Sequence, residues 1–331
     1  MDVGTLRQMQ SLPLPVKLSK TKLRIREFVE NFGEEGVYIS FSGGKDSTVL
    51  LDIVRSLYPD IEAVFIDTGL EYPEVKEHVR SFKNVTIIRP EMNFKKVIET
   101  YGYPVISKEV TETVSQAKKS LKTGKYTYRL KKLNNELVDK KTGKKSRYNC
   151  PKWKFLLDAP FDVSNQCCNV MKKNPAKKYE KATGKKPIIG TMASESELRE
   201  SKYLKHGCNI FDSKRPSSQP LSFWKEQDIL EYLLKRNLSI ASVYGEIVMG
   251  ENLELKTTGC TRTGCVYCGF GAHLEKGENR YQRLENTHPQ LHKYCMEVLG
   301  FKEVLEYTGI PWSGKGMIFE ENQMNLFDKL K

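Results

Sequence analysis

The segment Val37-Tyr38-Ile39-Ser40-Phe41 has the apolar character of a buried strand, and Ser42-Gly43-Gly44-Lys45-Asp46-Ser47 follows it without a gap. Beyond it, Val49, Leu50, Ile53, Val54 and Leu57 recur on one helical face. A strand that turns through two glycines straight into a helix leaves few folds open. Such a turn exposes the unpaired N–H groups of the first helical turn and the positive end of the macrodipole. Gly43 and Gly44 let an anion come close to the backbone, Lys45 adds a full charge, and Ser42 and Ser47 add hydroxyl donors. The combination reads as a cradle for nucleotide phosphate. The alternative is a plain glycine turn. The spacing excludes the Walker form, Gly-x-x-x-x-Gly-Lys-Ser/Thr.

The flanking pattern alternates strands and helices. Apolar periodicity predicts a helix over Ser19–Phe32, strands over Val37–Phe41, Ile61–Ile66, Val85–Ile88 and Pro187–Gly190, and helices near Pro73–Phe82 and Phe94–Tyr101. That order predicts an α/β fold with a parallel sheet covered by helices on both faces. The expected organisation is a flexible leader at 1–18 and a nucleotide-binding domain at 19–240, interrupted by an insertion at 117–154. A cysteine-rich region at 241–312 and a tail at 313–331 complete it. Asp67-Thr68-Gly69 falls at the carboxyl end of the second strand, the edge where open α/β sheets bind ligands. Asp67 is a candidate for Mg²⁺ or a ribose hydroxyl, with an Asx turn as the alternative. Asp46 is a second candidate for organising the metal.

Charge narrows the partners. Net charge is +13 over 331 residues, yet residues 117–154 hold fourteen Lys/Arg against Glu136 and Asp139, a net +12 in 38 residues. The remaining 293 residues carry about +1. Tyr126, Tyr128, Tyr148 and Trp153 interleave the cations. Cations pair with phosphates and aromatic rings stack on bases, so this segment is a candidate nucleic-acid contact, with a solvated insertion as the bland alternative. No apolar run reaches the length of a membrane span and no hydrophobic signal region opens the chain, so a cytoplasmic location is expected. Eight cysteines in such a chain point to thiol or metal chemistry rather than a disulfide framework.

Cys260-x4-Cys265-x2-Cys268 lies in a glycine-bearing loop, Cys295 follows, and the tandem Cys167-Cys168 lies upstream. Such thiolates suit an iron–sulfur cluster or zinc. Together with the glycine loop, Ile66-Asp67-Thr68-Gly69-Leu70-Glu71-Tyr72-Pro73, Gly190–Arg199 and Pro220-Leu221-Ser222-Phe223-Trp224-Lys225-Glu226-Gln227-Asp228-Ile229, these pairs resemble the phosphoadenosine phosphosulfate (PAPS) reductase family. That family belongs to the PP-loop, adenine nucleotide alpha-hydrolase-like superfamily. The resemblance covers about residues 20–310 apart from the basic insertion. It implies a Rossmann-like, five-stranded-type parallel sheet and an adenine nucleotide, ATP or PAPS, with Mg²⁺. It places Arg199 in a nucleotide loop, where the alternative is a surface helix arginine. It also implies a [4Fe–4S] cluster. Cys168, Cys265, Cys268 and Cys295 are the expected ligands, Cys167 and Cys260 remaining open as alternatives, and zinc is the other metal.

Two departures shape the expected activity. The loop keeps Lys45, Asp46 and Ser47, as in members that cleave ATP between the α- and β-phosphates, and no cysteine follows Cys295. The combination resembles sulfur-mobilising ATPases of DNA phosphorothioation and tRNA thiolation. The expected function is ATP-dependent sulfur transfer to a nucleic acid, served by a sulfur- or electron-donor protein, with Lys45 and Asp46 at the reacting phosphates. Cys208 is a candidate attacking thiol, or else an inert packed one. The alternatives are a PAPS or adenylylsulfate reductase and a non-catalytic regulator. Gln323-Met324-Asn325-Leu326-Phe327 resembles a sliding-clamp-docking peptide, with a packed tail helix as the alternative.

Overall fold

The structure, a computed structural model, describes residues 2–314. It opens with α1 (Val3–Ser11) and α2 (Leu14–Phe32). The Asp2 carboxylate accepts the Thr5 N–H at 2.8 Å and caps α1. Pro15 stands in the first turn of α2, where its missing N–H has no intrahelical partner to lose. Leu6 and Leu14 are buried in the core, and buried Lys17 pairs with Asp228 at 2.6 Å. The described part of the expected flexible leader 1–18, residues 2–18, is therefore helical and packed on the core, and α2 starts five residues before the expected Ser19. Polar residues and the break at Pro13 divide this amphipathic pattern, and only packing shows that Leu6 and Leu14 share one core.

The chain continues through β1 (Val37–Ser40), α3 (Lys45–Arg55), β2 (Ala63–Ile66), α4 (Pro73–Arg80) and β3 (Val85–Ile88). Next come α5 (Phe94–Tyr101), β4 (Val105–Ile106), α6 (Lys108–Lys122), α7 (Tyr128–Leu133), α8 (Asn174–Thr183) and β5 (Lys186–Ile189). Then follow α9 (Glu197–His206), β6 (Asn209–Ile210), β7 (Ser217–Ser218), α10 (Glu226–Arg236), β8 (Ile247–Met249) and β9 (Leu255–Thr257). The last are β10 (Gly269–Phe270), α11 (Arg280–Thr287), α12 (Pro289–Lys293) and α13 (Phe301–Thr308). No described helix is long and apolar enough to cross a membrane.

Two compact units divide these elements. The first comprises residues 1–91 with 172–266 and contains a six-stranded sheet in the order β3-β2-β1-β5-β7-β6. Five strands are parallel, as expected, and β6 adds an antiparallel edge. Ile39 of β1 stands opposite Ala63 on one side and Ile188 on the other. The chain leaves β1 outward to β2 and β3, and the later strands fill the other side. β1 thus stands at the topological switch point, where α/β sheets open a crevice. Val37, Tyr38 and Ile39 are all buried, as a central parallel strand requires. Phe28, Leu50, Ile53, Trp224 and Ile229 from α2, α3 and the α10 region complete its core.

The second unit comprises residues 92–171 with those from 267 onward. Val105 pairs with Gly269 and Ile106 with Phe270, in parallel. Phe301 gathers Phe94, Tyr103 and Tyr281 into an aromatic cluster. The chain therefore does not divide at 240/241. The pairing of β4 with β10 joins the segment around the basic insertion to the cysteine-rich end. The insertion is itself built on structure: Ala117, Leu130 and Leu133 within it are buried, as are Val114 and Leu156 on either side of it. The peptide Gln323–Phe327 lies outside the described residues.

Candidate nucleotide site

The loop after β1 folds as its composition requires. Gly43 has φ +71°, and a Cβ there would stand 2.6 Å from a Val79 methyl and 2.8 Å from one of Val75. Both backbone sign and space demand glycine. Ser47 does not point outward as a phosphate donor. Its hydroxyl donates to the Gly44 carbonyl at 2.8 Å, accepts the Ser42 N–H at 3.2 Å and lies 3.0 Å from the Ser42 hydroxyl. It ties the turn that presents Gly43 and Gly44. Thr48 also donates to the Gly44 carbonyl and meets His78 Nε2 at 3.1 Å. Burial lowers the His78 pKa, so its ring is held neutral.

Lys45 opens α3 and is 3% exposed. Its ammonium donates to the Thr261 carbonyl at 2.9 Å and lies 3.1 Å from Glu226 Oε1 and 3.7 Å from Asp46 Oδ1. Its backbone N–H donates to the Tyr244 hydroxyl at 3.3 Å, and that hydroxyl shares a hydrogen bond with Thr263 at 2.9 Å. A strap over residues 258–264 thus supplies both the carbonyl on Lys45 and the Thr263 hydroxyl beside the α3 N-terminus. Asp46 is partly exposed as a residue, yet its Oδ1 is shielded from solvent with no hydrogen-bond partner. Burial raises its pKa, Glu226 adds to the rise, and Lys45 and Arg262 oppose it. An orphaned carboxylate oxygen beside a helix N-terminus fits a divalent cation, so Asp46 is the residue that would hold Mg²⁺.

Arg199 does not stand out as a surface arginine. It pairs with Glu195, whose carboxylate also holds Arg262 and accepts the Met192 N–H at 2.9 Å. Burial and the neighbouring Arg262 lower the Arg199 pKa. Asp67 is already engaged. It accepts the Gly69 N–H at 3.2 Å in an Asx turn and pairs with Lys76 at 2.7 Å and Arg89 at 3.3 Å. Partial burial opposes its ionisation, but these contacts outweigh burial and hold it below the usual carboxylate range. Thr68 is held locally too, its N–H and hydroxyl both donating to Glu71.

A cavity of about 320 Å³ opens at the carboxyl ends of β1 and β2 and reaches the loop at Ser42. Val64 to Ile66 and Val75 give it an apolar wall, and Lys172, Lys173 and Arg215 line it with cations. Arg215 is fixed by a two-point contact with Glu180, both at 2.6 Å, and Tyr38 also donates to Glu180 at 2.8 Å. The sequence reading gave no role to Glu195 and Glu226, which lie inside the motif stretches Gly190–Arg199 and Pro220–Ile229, or to Thr263 in the cysteine loop, and Tyr244 and these three cations fall in no local motif.

The cysteine expectations fare differently. Cys208 is a correction: it is buried in the core, and burial pushes its thiol up to about 12, so the thiolate needed for attack is suppressed. Cys295 is fully buried in the π-helical turn Tyr294–Val298, and burial holds its thiol well above the usual range. Its expected role as a ligand would require that thiol to ionise on metal binding, and no group of three ligands is placed around it among the described residues. Cys265 and Cys260 belong to the first unit, and Cys167, Cys168 and Cys268 to the second. Among the described residues no group of three or more His, Cys, Asp or Glu side chains is placed to hold a metal ion. The expected cluster therefore finds no assembled seat in this structure.

A parallel α/β sheet, a glycine loop at its switch point and an apolar, cation-lined cavity at the same edge define a nucleotide-binding protein of the PP-loop type. The profile described as phosphoadenosine phosphosulfate reductase domain matches residues 36–139 and 107–269, most of the chain, and the protein belongs to that family. Over 85 residues it is 40% identical to the uncharacterized protein MJ0066 of Methanocaldococcus jannaschii, covering 23% of this chain and 18% of that one. Over 210 residues it is 23% identical to the adenosine 5'-phosphosulfate reductase of Staphylococcus epidermidis, covering 62% of this chain and 63% of the relative. The matches thus span less than two thirds of these relatives' lengths. Among solved structures, the PAPS reductase of Candida auris superposes with TM-score 0.38 at 13% identity, covering 73% of this chain and 90% of that one.

Proposed function

We propose that this protein is an ATP-consuming sulfur-transfer enzyme whose acceptor is a nucleic acid. The observation that carries the reading is the loop after β1. It keeps Lys45, Asp46 and Ser47 on a glycine turn at the head of α3, where polyphosphate charge is best met. ATP would lie with its phosphates on this loop and its base in the adjoining cavity. An acceptor oxygen attacks the α-phosphorus, the bond from that phosphorus to the α–β bridging oxygen breaks, and pyrophosphate leaves. The N–H groups of the loop and Lys45 meet the developing charge. Asp46 would hold Mg²⁺, which neutralises charge on the polyphosphate. The adenylated oxygen then departs with AMP when a sulfur nucleophile displaces it. That sulfur comes from a donor protein in this reading, and no step passes through a cluster.

Residues 117–154 support the nucleic-acid acceptor through their charge and exposed aromatic rings. A second reading is favoured by the likeness to the Staphylococcus adenosine 5'-phosphosulfate reductase: reduction of an adenylylsulfate to sulfite. Incubation of the purified protein with ATP and nucleic acid separates the two. Pyrophosphate release that depends on nucleic acid and disappears in Lys45→Ala is the expected result. Sulfite from adenylylsulfate or PAPS, with no pyrophosphate from ATP, would overturn the proposal. Iron and sulfide analysis of anaerobically purified protein tests the expected cofactor separately. Iron with sulfide, both lost in Cys268→Ser, would establish a cluster that the described residues do not by themselves assemble; zinc without iron, or no metal, refutes the cluster.

A further inference from the structure

We propose that the exposed surface of residues 119–154 is a stacking platform for unpaired nucleotides, so that the nucleic acid it takes is a single strand rather than a duplex. The inference rests on the nucleic-acid reading above and specifies the form of that partner. Of the fourteen cations of residues 117–154, three are buried or half-buried in ion pairs: Lys118 with Asp162 at 3.2 Å, Arg129 with Glu112 at 3.0 Å and Lys132 with Glu109 at 2.5 Å. The other eleven are exposed. A positive field of that density attracts any polyanion and does not by itself separate strand from duplex.

The tyrosines supply the distinction. Tyr126, Tyr128 and Tyr148 are 54%, 55% and 50% exposed. None is a loose side chain on a bare loop. The Tyr126 hydroxyl accepts from Asn134 at 2.6 Å and also pairs with Glu136. Tyr128 begins α7, which is anchored by buried Leu130 and Leu133, and the Arg129 guanidinium lies 6.0 Å from its ring centre. Arg147 lies 5.1 Å from the Tyr148 ring and donates to its hydroxyl at 3.1 Å. Rings held in this way lose little freedom when a ligand stacks on them. In a duplex each base is covered by its neighbours, whereas an unpaired base can lie flat on a tyrosine while adjacent cations meet its phosphates.

Fluorescence anisotropy on the full chain tests this with one mixed sequence, presented as single-stranded DNA, single-stranded RNA and duplex DNA at matched salt. At least one single strand is expected to bind about tenfold tighter than the duplex, and the tighter of the two identifies the sugar. Tyr128→Ala and Tyr148→Ala are each expected to weaken single-strand binding by about tenfold, the scale of one lost base–ring contact. Tyr128→Phe and Tyr148→Phe, which keep the ring face, are expected to bind as the unmodified protein does. Duplex binding as tight as single-strand binding, or alanine variants without effect, overturns the stacking platform and leaves the nucleic-acid reading standing. Phenylalanine variants as weak as the alanine ones overturn it too, since the hydroxyl would then carry the contact. No binding to any of the three at low salt overturns both.

Discussion

Lys45 and Cys208 show how position decides what a reactive side chain can do. Lys45 sits at the head of α3 with its ammonium on a carbonyl and a carboxylate, both of which a polyphosphate can replace as partners. Lys45→Ala is expected to weaken ATP binding by about tenfold or more, the scale of a lost charge-assisted hydrogen bond, and to leave the far-UV circular dichroism spectrum unchanged. Calorimetric titration with ATP reads the first effect. Cys208 follows a glycine as Lys45 does, but its thiol is buried and pushed from 9.0 up to about 12. The folded protein keeps a proton that the unfolded chain releases across that interval. The stability this group contributes is therefore full below pH 9.0 and is lost as pH rises toward about 12. At neutral pH Cys208 is expected to resist iodoacetamide until the protein is unfolded, and Cys208→Ala is expected to keep pyrophosphate release. Mass spectrometry of the alkylated peptide checks the former. Asp46 could be picked out from the motif, but its orphaned oxygen could not, because shielding comes from chain segments distant in sequence.

Helices and strands were the most readable level of this protein. The strand at 85–88 and the helix at 94–101 stand where apolar periodicity puts them. The helices before residue 18 were not readable, since a pattern broken at Pro13 resembles a polar leader until Leu6 and Leu14 meet the core. The Lys17–Asp228 pair shows the consequence, joining α2 to the first turn of α10 with both groups buried. Lys17→Ala strands the Asp228 charge and is expected to cost about 3–5 kcal/mol in a urea melt. The strap over residues 258–264 offers the opposite case, a contact that competes with ligand. Tyr244 accepts the Lys45 N–H, a donor that a phosphate would otherwise use. Tyr244→Phe is expected to lower the stability of the nucleotide-free protein by about 1 kcal/mol and to tighten ATP binding several-fold. Weaker ATP binding in that variant would instead make the hydroxyl part of the nucleotide site.

At the scale of the molecule, two units are each woven from two separate stretches of chain, and that arrangement governs how function is divided. The loop, its cavity and the Lys45–Glu226 and Arg199–Glu195 pairs all belong to the first unit. The cationic, tyrosine-bearing surface belongs to the second. Removing residues 119–148 is accordingly expected to abolish nucleic-acid-dependent turnover while sparing ATP binding, as calorimetry beside a pyrophosphate assay would record. The sequence by itself determined the strand–loop–helix cradle, the parallel sheet, the family and the concentration of charge. Each of these depends on neighbours a few residues apart, on hydrophobic period and on backbone freedom at glycine. Only the tertiary structure decided that Cys208 and Cys295 are buried, that Asp67 is already paired with two cations, and that Tyr244 and Thr263 cover the head of α3. Burial and long-range pairing depend on which distant segments the chain brings together, and no local spacing carries that information.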